Sequence, residues 1–548
     1  MSCTLMAHQS NEKGQFVITQ LRPPARGLTS VDSAWAVAVL ATVLIGALAL
    51  NRQSLWIDEL GTWRLTRADN LSAWLAQLLS WPNSDAQLPL YHAWIKLWTS
   101  AVPQHEWMLR ASNLPWLALA FFAFWRAPVR RDAIPLMQLA GLVCALHPLT
   151  WYYVNELRPY AMLLAATAMS GVGLTSVWME SEDPATARLG RHFLLLGLAM
   201  LAACSPIGVI WIVAFAPAAL WLSRNRGRAF GFEKGHGIAV AIYVVVLIPI
   251  FAQYLMSFLS GASAAAIDNK VINFLFAFYE LIGLGGIGPG REELRGNVSG
   301  AVQEHAPALA VGATLLLTSI WLGLRALWRK EGGRAVVVLC ASVLPVFLLF
   351  GLAEIKHWRV VGRHLLPLLF FVCLVLAAAL RSAWLQRGSA VTRALTGAAL
   401  GALLVSSLDI RWADRHQREM YSAAAQAAAQ TLAGNATVWW FADDTGPEFY
   451  GLGKHAQKMV SARDYEKGLS RLFDGMQGRV VTDCRTVTSK TLLAFENPTA
   501  TMLSGCPAPA RVIYSRREAF DQKAVGAAWL QSHGFHLQQR FVGFEVWE

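Results

Sequence analysis

Charge is scarce in this 548-residue chain. Asp, Glu, Lys and Arg make up 15% of it, against 55% hydrophobic residues, where a soluble domain carries about a quarter charged residues. The apolar residues come in blocks of membrane-spanning length, which a soluble core does not require. Metal-ligand spacing is missing too: there is no CxxC and no Cys/His cluster. Four of the seven cysteines, Cys144, Cys204, Cys340 and Cys373, lie inside apolar blocks and read as inert packing residues. Cys484 and Cys506 fall in the polar C-terminal region and can pair if that region lies outside the cytoplasm. The net charge of +12 does not form a nucleic-acid footprint. Lys and Arg sit in short clusters between apolar blocks, which fixes orientation and contacts anionic lipid.

The expected fold is a polytopic α-helical membrane protein with about eleven transmembrane helices. Residues 1–33 carry Lys13, Arg22 and Arg26 and read as a cytoplasmic segment. The run Ala34–Leu50 follows a long polar stretch and precedes many others, so it reads as an uncleaved anchor rather than a signal peptide. Residues 34–410 form the transmembrane body. A first outer loop, 51–113, contains interfacial helices at Leu71–Leu79 and Tyr91–Ser100. Further spans are expected at Leu114–Trp125, at Ala133–Tyr152 and up to Met179. Two shortened spans fit Phe193–Ser223, with the Ser205-Pro206 break as their apex. Gly237–Met256, Pro307–Leu327, Ala335–Leu352, His364–Leu380 and Ala394–Leu408 complete the set. The second large outer loop, 257–306, holds an interfacial helix, Val271–Leu284. Were that helix a span, every later basic cluster would lie on the outer side, against the positive-inside rule.

Residues 411–548 form an α/β domain outside the cytoplasm. A polar helical stretch, Arg411–Ala433, precedes strand-like runs Thr437–Ala442, Arg479–Asp483, Arg511–Tyr514 and Phe541–Trp547. Helix-like stretches, Tyr465–Asp474 and Arg517–Ser532, lie between them.

This topology gathers charge on one membrane face. Asp58 and Glu59 sit in NRQSLWIDELGTW, at the mouth of the first span, among apolar neighbours. Carboxylates held at a membrane surface are costly and usually have a task, although a helix can also simply leave the lipid there. Glu156, Arg158 and Tyr160 follow the third span, and Asp85, Tyr91 and His92 lie in the first loop. The segment EIKHWRVVGRHLLP is an outer loop rich in cations: Lys356, Arg359, Arg363 and the imidazole of His364. Topology does not require positive charge there, so an anionic ligand such as a phosphate headgroup accounts for it; lipid phosphates are the bland alternative. Arg291, after a glycine-rich turn whose amides also attract anions, adds to the same basin.

An acid opposite an anion cradle, at the end of an apolar bundle, suggests transfer from a lipid-linked phosphate. One carboxylate accepts a proton from an acceptor hydroxyl while attack at the sugar carbon expels the phosphate. Glu59 then positions the acceptor or a cation, or bridges Arg158. Asp85 is a second acid or a loop cap, and Tyr91, His92, Glu156 and Tyr160 position donor or acceptor. Asp58, Glu59 and Asp85 are the candidate ligands for a divalent ion (Mg2+, Mn2+ or Zn2+), with no defined spacing.

WIDE after the first span, DAQLPLYH in the first loop, ELRPYAM after the third span and RHLLPLL before the tenth resemble the GT-C glycosyltransferases. The nearest members are bacterial, of the protein O-mannosyltransferase/aminoarabinose transferase type. The resemblance spans roughly residues 34–410 and departs in the first loop, where Gln87 and Leu88 replace the family's His and Pro. It implies a polyprenyl-phosphate sugar donor, an inverting transfer with Asp58 as base, and a multi-pass protein of the bacterial inner membrane with a periplasmic C-terminal domain. The acceptor, whether glycan, lipid or protein hydroxyl, is left open. The competing function is a transporter or flippase of lipid-linked saccharides, which favours ionisable residues at mid-membrane depth; here the apolar runs are nearly charge-free. A scaffold presenting the C-terminal domain would leave Asp58 and the Lys356–Arg363 cluster without a purpose.

Overall fold

The structure is a computed structural model that describes residues 31–68, 70–80, 89–225, 248, 252, 270–356, 360–460, 480–484, 487, 489–517 and 520–548. Among these, eight helices are long and apolar enough to cross a membrane, and a bent pair makes a ninth. The eight are Val31–Ala49, Tyr160–Trp178, Pro184–Cys204, Ile207–Arg224, Val298–Glu331, Gly333–Ile355, Gly362–Leu385 and Ala390–Trp412. They coincide with eight of the expected crossings. Leu114–Trp125 forms as expected, but its 12 residues reach only about 18 Å. Most of Gly237–Met256 lies outside the described residues.

Two breaks in these helices have plain chemical causes. The run Ala133–Tyr152 is not one straight span: it bends by 61° between Leu146 and Pro148. Pro148 has no amide hydrogen to continue the ladder, and the His147 ring accepts the Leu149 amide at 3.2 Å, starting a new short helix, Pro148–Val154. The other break falls at Ser205-Pro206, where the Ser205 hydroxyl caps the Ile207 amide. The two helices there are not shortened. The first begins at Pro184, capped by Asp183 on the Thr186 amide at 2.9 Å, and so takes Arg188 and Arg191 into its first turns.

Tyr160–Trp178 is the centre of the bundle, with every residue buried. Small residues let its neighbour Pro184–Cys204 approach backbone to backbone: a Cβ on Gly197 would lie 2.2 Å from the Ser170 nitrogen, and one on Gly173 would lie 2.3 Å from the Leu194 nitrogen. Close approach of this kind replaces the hydrophobic effect as the adhesive between helices in lipid. Val31–Ala49, by contrast, leaves Val39, Leu40, Val43 and Leu44 exposed, as a helix facing lipid does. The loop helix expected at Val271–Leu284 is present as Lys270–Leu281.

The C-terminal segment folds into a seven-stranded sheet of order β3-β2-β4-β1-β5-β7-β6. Its strands are β1 Val438–Phe441, β2 Ala456–Met459, β3 Val480–Val481, β4 Leu492–Phe495, β5 Arg511–Ser515, β6 Leu537–Phe541 and β7 Phe544–Trp547. The first five are parallel; β7 and β6 add an antiparallel hairpin. The continuous apolar runs VWWF and LLAF are fully buried in the middle, as strands covered on both faces must be. Arg411–Ala433 is not one helix. The last span runs on to Trp412, a loop follows, and a separate helix covers Tyr421–Ala433. Within Arg517–Ser532 the helix is Val525–Ser532, while Tyr465–Asp474 lies outside the described residues. Cys484 and Cys506 are bonded, with Cα atoms 4.8 Å apart.

The sheet domain rests on the first loop. Ser54 and Ser422 hydroxyls are 2.6 Å apart, the Tyr450 hydroxyl accepts the Leu55 amide, and Phe449 meets the Trp63 ring edge-on at 5.0 Å. Gly197→Leu is expected to destabilise the bundle by about 3 kcal/mol through overpacking, read as a lowered unfolding temperature in detergent. Gly401→Leu, at a position where an added Cβ would meet no atom of another element within 4 Å among the described residues, should leave that temperature unchanged.

Candidate functional site

The site grows from a buried ion pair. The helix Ile57–Leu65 starts after Trp56, and its third residue, Glu59, is wholly inaccessible to solvent. The equally inaccessible Arg110 meets it fork to fork: Nε donates to Oε1 at 2.8 Å and Nη2 to Oε2 at 2.6 Å. The remaining guanidinium donors go to Asn51 Oδ1 at 2.9 Å and to the Gln53 and Ser54 carbonyls at 2.7 and 3.0 Å. Glu59 also accepts the amides of Leu157 at 2.7 Å and Trp56 at 3.2 Å, and Arg418 lies 3.3 Å away. Burial pushes this carboxyl up, but Arg110 and Arg418 outweigh it and hold Glu59 below its ordinary range.

Asp58, one residue earlier, is in the opposite condition. It is half-buried, and only its main-chain carbonyl is engaged, by Thr62 Oγ1 at 3.0 Å and Arg158 Nη1 at 3.3 Å. Among the described residues its carboxylate makes no hydrogen bond or ion pair. Two guanidinium groups lie within its electrostatic reach, Arg363 and Arg517. Arg363 stacks over the Tyr160 ring at 5.8 Å, and Arg517 over Trp56 at 5.3 Å, held by Glu419.

Beside them opens a cavity that is partly open to solvent, with Trp56 and Arg517 in its wall. Its other arginines are Arg291 and Arg418, which stack on the Tyr152 ring at 4.9 Å each. Pro148, Leu149, Phe276 and Ile410 supply apolar wall; the bend at His147-Pro148 is what brings the first two there. The acids of the cavity are engaged: Glu292 by Arg516 at 2.7 Å, Glu280 by the Gly362 amide at 3.1 Å and Glu419 by Arg517. Glu156 lies behind, 1% exposed, with Oε2 3.8 Å from Arg418. Burial pushes its carboxyl up, only partly offset by Arg418 and Arg291. A cationic, aromatic and partly apolar hollow of this kind suits an anionic headgroup on an apolar chain.

Of the residues singled out in the sequence, Asp58, Glu156, Arg158, Tyr160, Arg291 and Arg363 join one network of charged and aromatic groups, of which Arg291 alone lines the cavity. Asp85 and Arg359 lie outside the described residues, as does the side chain of Lys356. His364 Nδ1 accepts the Val361 amide at 3.3 Å and caps the turn that carries Arg363. Tyr91 and His92 are buried and absent from the cavity wall. The Tyr91 hydroxyl donates to Asn113, whose side-chain amide holds the Val154 and Glu156 carbonyls at 3.1 and 2.6 Å. The glycine-rich turn is a packing device rather than an anion nest. The amides of Gly286, Gly288 and Gly290 bond to Ser406, Leu284 and Glu293, and a Cβ at Gly286 would lie 1.7 Å from the Ser406 carbonyl oxygen. Of the three acids expected to hold a divalent ion, Glu59 turns both oxygens to Arg110, and Asp85 lies outside the described residues, among which no cluster of three ligand residues forms.

Three arginines of the site escaped the sequence reading. Arg110 carried the same signal as Arg363, a cation in a segment expected on the outer side, but it was not singled out. Arg418 and Arg517 lie in the C-terminal region, where no motif marked them.

No protein-family model and no curated protein matches the chain. Among solved structures it is similar to the crystal structure of ArnT from Cupriavidus metallidurans bound to undecaprenyl phosphate, at 12% identity and a TM-score of 0.49, over 94% of this chain and 98% of that one. At that level the likeness carries no part of the functional reading.

Glu59→Gln and Arg110→Met, by leaving a buried charge unpaired, are each expected to cost about 3–5 kcal/mol of stability. Because Glu59 is held below its ordinary 4.5, its contribution is complete above that pH and is lost as acid protonates the folded state. The gap between wild type and Glu59→Gln in thermal unfolding should therefore narrow on acidification.

Proposed function

We propose that the chain is a membrane glycosyltransferase that moves a sugar from a polyprenyl-phosphate donor to a hydroxyl acceptor on the outer face. The observation that carries this reading is the Asp58 carboxylate, unpaired among the described residues and within reach of Arg363 and Arg517 beside an arginine-lined cavity. In the proposed step Asp58 takes the proton from the acceptor hydroxyl. The hydroxyl oxygen forms a bond to the anomeric carbon as the bond from that carbon to the phosphate oxygen breaks. The phosphate leaves with the electron pair, so the sugar inverts. Guanidinium groups fixed in advance at the leaving oxygen stabilise the charge that develops there. Arg363, Arg158 and Arg291 are assigned that role, with Lys356 and Arg359 as further cations of the same loop.

Glu59 is given a different task from the one its sequence position suggests. Its oxygens are committed to Arg110, so it holds the helix of Asp58 rather than exchanging protons. Tyr91 supports the Glu156 loop from behind through Asn113, His92 packs against Tyr91, and Tyr160 and Glu156 position the cationic face. The apolar wall at Phe276 and Ile410 takes the start of the lipid chain. Charges gathered at one end, with the central helix Tyr160–Trp178 charge-free and packed throughout, favour this over a flippase, which needs polar groups along a path. The outer face is assigned to the periplasm of a bacterial inner membrane; the Cys484–Cys506 bond supports an oxidising compartment for the C-terminal domain. The acceptor is a glycan, lipid or protein hydroxyl.

The test is Asp58→Asn in purified protein supplied with polyprenyl-linked sugars from a lipid extract. Turnover should fall about 10²–10⁴-fold, while binding of undecaprenyl phosphate is retained. Undiminished turnover contradicts the assignment.

A further inference from the structure

The helix that carries Asp58 ends in an arginine that reaches out of the membrane body. Arg64 Nη1 lies 3.2 Å from Asp444 Oδ1 and 3.8 Å from Asp443 Oδ2, and donates to Thr445 Oγ1 at 2.8 Å. These three residues form the loop after β1. The pocket they make is completed from neighbouring strands. Lys458 of β2 reaches Glu496, just past β4, at 3.0 Å, and both aspartates at 3.9 Å.

Its place in the sheet is informative. The chain leaves β1 toward β2 on one side and leaves β4 toward β5 on the other. The crevice at the carboxyl ends of two such adjacent strands is where open α/β sheets take their ligands. Here a guanidinium from the first loop occupies it. Without Arg64 the ion-pair network of the pocket holds, among the described residues, three carboxylates, Asp443, Asp444 and Glu496, against one cation, Lys458. Burial opposes the charge on Asp443, yet Lys458 and Arg64 hold that carboxyl down at about 2.

The two ends of the nine-residue helix Ile57–Leu65 are thus fastened by separate buried charges. Glu59 in the first turn is gripped by Arg110 and Arg418; Arg64 in the last turn is gripped by the sheet domain. Asp58 lies on the segment these two grips hold.

We propose that the acidic crevice of the C-terminal sheet is a docking site for Arg64, and that Arg64 is a positioning residue which fixes the helix bearing Asp58. The domain then sets the reach of the reactive carboxylate, which gives a working role to the region least legible in the sequence. The role in catalysis rests on the transferase reading above; the docking itself does not.

The experiment compares wild type, Arg64→Met, Arg64→Lys and Asp444→Asn, full-length in lipid nanodiscs, by hydrogen exchange and by turnover of polyprenyl-linked sugar. Arg64→Met and Asp444→Asn should speed exchange of amides 57–65 about tenfold, with Tyr160–Trp178 unchanged. Turnover should fall with kcat while KM stays constant, and Arg64→Lys should recover most of both. Should Arg64→Met also loosen Tyr160–Trp178, the Arg64→Lys and Asp444→Asn proteins carry the comparison. Unchanged exchange at 57–65 in Arg64→Met or Asp444→Asn overturns the proposal, whatever happens to turnover. Faster exchange in a protein whose Asp58→Asn variant remains active leaves the docking standing and removes the transferase reading.

Discussion

Arg110 surrenders all its water to stand against Glu59, and every nitrogen of its guanidinium donates to an acceptor in the first loop. Burying two charges costs several kcal/mol each and is recovered only when geometry is good and the remaining donors are satisfied. Both conditions hold here. The pair ties the chain leaving the first span to the helix before Leu114–Trp125, while the Leu157 amide and Arg418 add the loop after the bent span and the entry to the sheet domain. Four stretches far apart in sequence are thereby held around one carboxylate.

The neighbouring acid owes its freedom to that arrangement. Successive helical residues are turned by about 100°, so when Glu59 points into the clamp, Asp58 points elsewhere, within reach of Arg363 and Arg517. Adjacent acids in a sequence look like a catalytic pair. On a helix they face different environments: Glu59 is locked as a charge by Arg110, while the Asp58 carboxylate makes no ion pair among the described residues.

The sequence made the membrane architecture plain, because hydropathy and the placement of Lys and Arg follow directly from the cost of polar groups in lipid. It also singled out Asp58, Glu156, Arg158 and Arg363, each a charge where topology has no use for it, and the fold brings these four close together. The bend at His147-Pro148 was missed although the proline was visible; the run of apolar residues on both sides hid it. Arg110 was passed over for a similar reason, since an arginine that flanks a span and one that clamps a carboxylate look alike in sequence. Arg418 and Arg517 were out of reach. They meet the site only through the docking of a sheet whose β2 and β4 were themselves unrecognised, and contacts across hundreds of residues leave no local pattern. The glycine-rich turn misled in the other direction: its amides were counted as free when close packing against Ser406 was their purpose.

The cavity joins the two halves of the chain, since Arg291 and Tyr152 come from the membrane body and Arg418 and Arg517 from beyond the last span. The most direct measurement is an electron cryo-microscopy structure of the full chain in nanodiscs with undecaprenyl phosphate bound. The phosphate is expected within ion-pair distance of Arg363 or Arg291, near the Asp58 carboxylate, with the Arg110–Glu59 pair intact. Phosphate density at the other membrane face, or an Asp58 carboxylate turned away from it, would contradict the account.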